Sequence, residues 1–201
     1  MTPAHLTTGA ADPPGSPALR RREAESDARL VVRILSGDTA CYAALVGRYQ
    51  SALHRYARGM VRDPDLASDL VQDSFVKAYT RLASCRDPSR FGAWMYRIVV
   101  NRCRDHLKRQ RRPTVPLEEH TAAAPESDGP ALRMDRAELR ALLDRTLATL
   151  PGPQREAFLL RHVDGHSYEE MAGMLDVTAS ALKMRVMRAR NALQERLRGE
   201  L

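Results

Sequence analysis

Apolar residues recur at helical spacing along most of the chain, and no stretch of useful length alternates as a strand requires. "DARLVVRILSGD" sets Leu30, Ile34 and Leu35 on one face and then meets Gly37, which predicts a stop. From Asp38 the period runs through Leu45, Tyr49, Leu53, Tyr56 and Met60 until Asp63-Pro64 breaks it. Pro64 suits the first turn of the next helix. That helix, "DLASDLVQDSFVKAYTRL", carries Leu66, Leu70, Phe75 and Leu82 as apolar positions. A loop, "SCRDPSR", leads into a further helix with Phe91, Trp94, Met95, Ile98, Val99, Cys103 and Leu107 at core spacing, ended by Pro113. A lone Trp beside a basic segment suggests a base-stacking wedge, but the spacing of Trp94 to Phe91 and Ile98 assigns it to packing.

The pattern then lapses. "TVPLEEHTAAAPESDGPAL" has Glu118, Glu119, Glu126 and Asp128 but no Lys or Arg between Thr114 and Leu132, and it reads as a linker without a core. Helical spacing resumes near Met134, with breaks at Pro151-Gly152-Pro153, Asp164-Gly165 and Asp176. The expected fold is all-α: a disordered tail over 1–25, a helical domain over 26–112, a flexible acidic linker over 113–133 and a second small helical domain over 134–201.

Within the second domain, Ser167 followed by Glu170 makes a capping box that starts a helix. Tyr168, Met171, Ala172 and Leu175 form its inner face. Asp176 falls in a tight turn, and Thr178 can cap the next helix. That helix has Leu182, Val186, Ala189, Leu193 and Leu197 on one side and Lys183, Arg185, Arg188 and Arg190 on the others. A short helix, a tight turn and a longer basic helix make a helix-turn-helix, whose second helix enters the DNA major groove. A helical hairpin with a solvated basic face is the plainer alternative, and a helix-turn-helix alone names no function.

Charge strengthens the nucleic-acid reading. The chain has 201 residues, a net charge of +7 and an isoelectric point near 9.8, which favours a polyanionic partner. Only Lys77, Lys108 and Lys183 are lysines; the Arg bias suits phosphate and guanine, although a GC-rich genome also produces it. From Arg102 to Arg112 six basic side chains stand against Asp105 alone. That density suits phosphate, whose contacts position a protein without specifying sequence. Cys41, Cys85 and Cys103 form no CxxC pair and read as reduced thiols of a cytosolic protein. No apolar run is long enough to span a membrane.

Taken in order, "DLASDLVQDSFVKAY", "FGAWMYRIVVNRCRDHLKRQRR", "LPGPQREAFLLRHVDGHSYEEMAGML" and the helix after them resemble bacterial RNA polymerase sigma factors of the extracytoplasmic-function type, group 4 of the sigma-70 family. The resemblance covers roughly three quarters of the chain. It implies a sigma-2 domain that binds core polymerase and the minus-10 element, and a sigma-4 domain that binds the minus-35 element. It also implies a non-enzymatic, cytoplasmic transcription initiator that responds to stress or envelope signals, with no catalytic residue, cofactor or metal and no direct membrane insertion. The partners it implies are core RNA polymerase (the clamp helices of β′ and the flap of β), promoter DNA and an anti-sigma factor.

Site residues follow from the same match. Asp65, Asp69, Gln72, Asp73 and Val76 share a side away from the core, an acidic stripe that repels DNA and suits the polymerase clamp helices. In similar proteins the loop before the basic helix captures a flipped base; here it supplies Ser84, Cys85, Arg86, Asp87 and Arg90. Relatives usually have an aromatic at the position of Cys85, which alters the stacking offered to that base. Arg97, Asn101, Arg104, Lys108, Arg111 and Arg112 complete the minus-10 set. The minus-35 readers are Ser180, Lys183, Met184, Met187 and Arg188, with Arg185 and Arg190 better placed for phosphate. Where relatives often have a small polar residue, Met184 offers apolar contact, for example to a thymine methyl. The linker is expected to thread the polymerase cleft toward the RNA exit path, its acids mimicking RNA.

Other readings remain open to the sequence. His162, Asp164 and His166 are close enough in number to suggest a metal site, but the helix breaks between the two histidines and no third ligand cluster stands out. A one-component helix-turn-helix regulator would need a ligand or dimer domain. An anti-sigma protein would not need its own DNA-reading helix.

Overall fold

The computed structural model describes residues 27–110 and 136–200, all of whose regular structure is helical. The proposed tail (1–25) and linker (113–133), with Arg111 and Arg112, lie outside the described residues. Helix α1 spans 27–35. It is anchored at its start by Asp27, which is 1% exposed and accepts hydrogen bonds from Arg48 and Tyr49. The inward positions of α1 are Val31 and Ile34. Leu35, expected beside Ile34, is 51% exposed, because a position one residue on turns about 100° away from the core. Gly37, at φ +110°, ends the helix in a conformation that only glycine adopts readily.

Helices α2 (Tyr42–Val61), α3 (Pro64–Thr80) and α4 (Phe91–Gln110) form the first domain. Leu45, Leu53, Tyr56 and Met60 of α2 are buried, as the helical period predicts. Burial of each such side chain contributes about 1.5–3 kcal/mol. The Asp63 carboxylate caps α3, accepting from the amides of Asp65 and Leu66 at 2.9 and 3.0 Å, with Pro64 in the first turn. Trp94 is half-buried, packed against the core with its ring 5.9 Å from that of Phe91. Gly92 permits the approach of α4 to α2: a Cβ there would stand 2.7 Å from the Tyr49 hydroxyl.

The second domain contains α5 (Arg136–Ala148), α6 (Gly152–Phe158), a π-helical turn at Leu159–Val163, α7 (Tyr168–Leu175) and α8 (Ala179–Glu200). The capping box is formed in both directions, the Ser167 amide donating to Glu170 Oε2 at 2.7 Å and the Glu170 amide to Ser167 Oγ at 3.2 Å. Asp176 adopts the left-handed conformation (φ 57°) between α7 and α8. Thr178 Oγ1 accepts from the Ala181 amide at 3.3 Å, which starts α8. Leu182, Val186, Ala189 and Leu193 are buried, and Leu197 is half-buried. The helix-turn-helix is therefore built as its sequence predicts.

The two domains also pack directly on each other, and their buried apolar side chains make one continuous cluster. At the seam a Cβ on Gly59 of α2 would stand 2.8 Å from Leu159 of the π turn. Arg155 donates to the Leu147, Ala148 and Leu150 carbonyls at the end of α5 and reaches across to the Met60 carbonyl at 3.0 Å. Carbonyls of a helix's last turn lack their usual i+4 amide partners, so one guanidinium serves two helix ends at once.

Candidate functional site

Three surfaces carry the residues singled out by sequence. On α3, Asp65, Asp69, Gln72, Asp73 and Val76 are all exposed, as a stripe opposite Leu70, Phe75 and Ala78 requires. Asp73 is not free of company: Arg102 Nη2 donates to its Oδ2 at 2.6 Å. Beside the stripe lies an open apolar groove of about 1030 Å³ between α2 and α3. Tyr42, Val46, Val71, Phe75, Val76 and Tyr79 line it. Val76 and Tyr79 are 59% and 42% exposed. The groove was not foreseen from sequence, although two large apolar residues three apart on an outward face are a readable sign of one.

The second surface is the loop before α4 and the outer side of α4. Asp87 organises the loop, accepting from both the amide and the hydroxyl of Ser89 at 3.0 and 2.6 Å. Ser84, Arg86, Asp87 and Arg90 are exposed, whereas Cys85 is 6% exposed and turned into the protein. Burial, then the nearby Asp87, pushes the Cys85 thiol above its ordinary range, so it is a neutral packing group. Arg97, Asn101 and Lys108 are exposed on α4.

Arg104, expected on the same DNA face, is committed elsewhere in this conformation. Its Nε and Nη2 donate to Oε1 and Oε2 of Glu156 in α6 at 2.7 and 2.8 Å, a two-pronged ion pair across the seam. The Glu156 hydrogen bond raises the Arg104 pKa first, ahead of its charge. Arg97 approaches Asp176 at 4.0 Å, and the Arg90 guanidinium lies where a Cβ on Gly173 would stand, 2.9 Å away. These partners were not legible in the sequence, since helical period says which side of α4 is polar and nothing about what faces it.

The third surface is α8. Ser180, Lys183, Met184, Met187 and Arg188 are exposed, as is Arg190, while Arg185 is half-buried. Met184 and Met187 are 43% and 48% exposed, which sets an apolar pair within a basic strip. Tyr168 at the start of α7 lies under both Arg161 and Lys183, whose charged groups stand 5.0 and 5.7 Å from its ring centroid. That stacking holds Lys183 in the first turns of α8.

The candidate metal residues do not converge. His162 stacks on Phe158, His166 meets the Tyr96 ring edge-on at 4.7 Å, and Asp164 faces Arg55 of α2 at 3.6 Å. Among the described residues no group of three or more His, Cys, Asp or Glu is placed to hold a metal ion. Nor is any described helix long and apolar enough to cross a membrane.

Comparison with known proteins agrees with this geometry. Residues 45–113 match the Sigma-70 region 2 family and residues 140–193 match Sigma-70, region 4. The ECF RNA polymerase sigma-E factor of Escherichia coli (strain K12) is 36% identical over 181 residues, covering 86% of this chain and 94% of that protein. The RNA polymerase sigma-H factor of Pseudomonas aeruginosa is 34% identical over 184 residues, with the same coverage. Among solved structures, CnrH in complex with the cytosolic domain of CnrY matches with a TM-score of 0.68 at 31% identity, covering 87% of this chain and 99% of that one. The sigma factor RpoE in complex with the anti-sigma factor NepR from Bartonella quintana matches with a TM-score of 0.63 at 29% identity, covering 78% and 96%. With both regions matched in order, and the helix-turn-helix where region 4 falls, the chain belongs to the extracytoplasmic-function group of the sigma-70 family of RNA polymerase sigma factors.

Proposed function

We propose that α3 docks this sigma factor onto core polymerase through Asp65, Asp69, Gln72, Asp73 and Val76, with the α2–α3 groove taking apolar side chains of the same partner. A row of carboxylates beside an open apolar groove fits a helical partner that is basic along one edge and apolar along the next. The clamp helices of β′ are that partner by family likeness, and the β flap would engage the second domain. The loop from Ser84 to Arg90 takes an unstacked base of the minus-10 element, and Arg97, Asn101, Arg104 and Lys108 grip the neighbouring phosphates. Unstacking a base costs a few kcal/mol, which contacts in the loop must offset. On α8, Ser180, Lys183, Met184, Met187 and Arg188 read the minus-35 element, and Arg185 and Arg190 hold its backbone.

The observation that carries this reading is the separation of the surfaces: the acidic and apolar face on α3 is distinct from the basic strip on α8. One chain thus offers a protein-docking face and a DNA-reading face at once, which a one-component regulator does not require. The likeness to a sigma factor bound to its anti-sigma factor supports a regulator of that kind here as well. The test is a run-off assay with core polymerase on a promoter fragment. The chain is expected to give a transcript that core alone does not; binding duplex DNA while giving no transcript would return the regulator reading.

A further inference from the structure

The domain seam reaches one side of the proposed minus-10 helix: Arg97, Asn101 and Lys108 stay exposed, while Arg104 is engaged. Helix α7 of the second domain packs on α4, and three arginines expected to meet DNA face second-domain groups instead. Arg104 holds Glu156, Arg97 approaches Asp176, and Arg90 lies over Gly173. The Arg97 contact is long and open to water, so it adds little. The Arg104 contact differs. Glu156 is 3% exposed, both its oxygens are engaged, and the two parallel bonds are those a guanidinium makes to a phosphate. Both oxygens of this deeply buried carboxylate go to Arg104, on a face of the helix where Ala157 and Leu160 are plain core residues.

We propose that Glu156 stands in for a DNA phosphate on Arg104 and latches the second domain against α4, so that the free chain withholds Arg104 from minus-10 DNA. This rests on the reading of α4 as the minus-10 phosphate-binding helix. The other two surfaces stay open in the latched form: the α3 stripe and the exposed strip of α8 do not take part in the seam. Core polymerase can therefore engage the closed chain, and minus-10 DNA competes with a carboxylate of the same molecule for Arg104. The apparent affinity for that DNA is the intrinsic affinity multiplied by the fraction of molecules that are open.

Two variants separate the latch from general damage. Glu156→Gln keeps the shape and removes the charge. Gly59→Leu leaves every charged group alone, improves α2 as a helix, and drives a side chain into Leu159 at the seam. Full-length wild type and both variants are compared by small-angle X-ray scattering and by fluorescence anisotropy with a minus-10 strand in single-stranded form. Wild type is expected to be compact. Both variants are expected to be extended and to bind the strand about tenfold more tightly, as when the open fraction rises from roughly one in twenty to about half. Binding of a minus-35 duplex should be unchanged. A wild-type chain already extended in solution overturns the latch, as does a variant that opens with no gain in strand binding. Core-directed transcription by the wild type is read alongside. If it is lost on removing Lys108, which is outside the seam, the α4 reading stands whatever becomes of the latch; if it is indifferent to Lys108, that reading fails first.

Discussion

Single residues carry the finest distinctions in this chain. Met184 is nearly half exposed on a basic helix, so much of its apolar surface gains nothing from folding. A thioether in the major groove has one apolar target, the thymine methyl. Replacing Met184 by Ser should shift base preference at one minus-35 position, read by selection from a randomised promoter library. An unchanged selection would leave Met184 without a reading role. Asp164 makes a second case. Burial, opposed by Arg55, lifts its carboxyl from an ordinary 3.8 to about 6, with Tyr96 also beside it. A carboxyl that binds its proton more tightly folded than unfolded costs stability as pH rises: nothing below about 3.8, the full penalty above about 6. Asp164→Asn is therefore expected to stabilise the chain at pH 7.5 by on the order of 2 kcal/mol and to leave it unchanged at pH 4. Thermal melts at the two pH values check this, and a variant less stable at pH 7.5 would mean that the ion pair with Arg55 outweighs burial.

At the scale of elements, α3 is the sharpest test. Its capped start and buried Leu70, Val71, Phe75 and Ala78 fix which side faces out. Asp69→Arg combined with Gln72→Arg changes only exposed positions, so the fold should survive while core binding in a pull-down is abolished. Retained binding would move the docking face elsewhere. The elements were also the most legible part of the sequence. The break at Asp63-Pro64, the cap at Ser167, the Gly37 stop and the turn at Asp176 each act within a few residues, and all four appear where local chemistry puts them. The error at Leu35 has the same origin: the period locates an apolar face to within one residue, and only packing decides between Ile34 and Leu35.

The whole molecule was far less legible. Nothing in the helical period singles out Glu156 or Arg155. The first is buried against Arg104, and the second ties the end of α5 to the end of α2. Contacts between residues about fifty or ninety apart leave no periodic trace, so a domain seam built from them is invisible until the fold is in hand. The same holds for the α2–α3 groove, which needs both helices in place before it exists. What the sequence did carry at this scale was order: an acidic helix, a basic helix, then a helix-turn-helix, which is the order of the family's two regions.

The central claim is that this order makes an initiation factor with two DNA contacts. It is tested most directly by in vitro transcription of a genomic fragment library with core RNA polymerase, with and without the chain, mapping every start site. Addition of the chain should create a new set of starts that share two short upstream elements at a fixed spacing, and Asp69→Arg with Gln72→Arg should erase that set. Start sites identical to those of core alone would contradict the account.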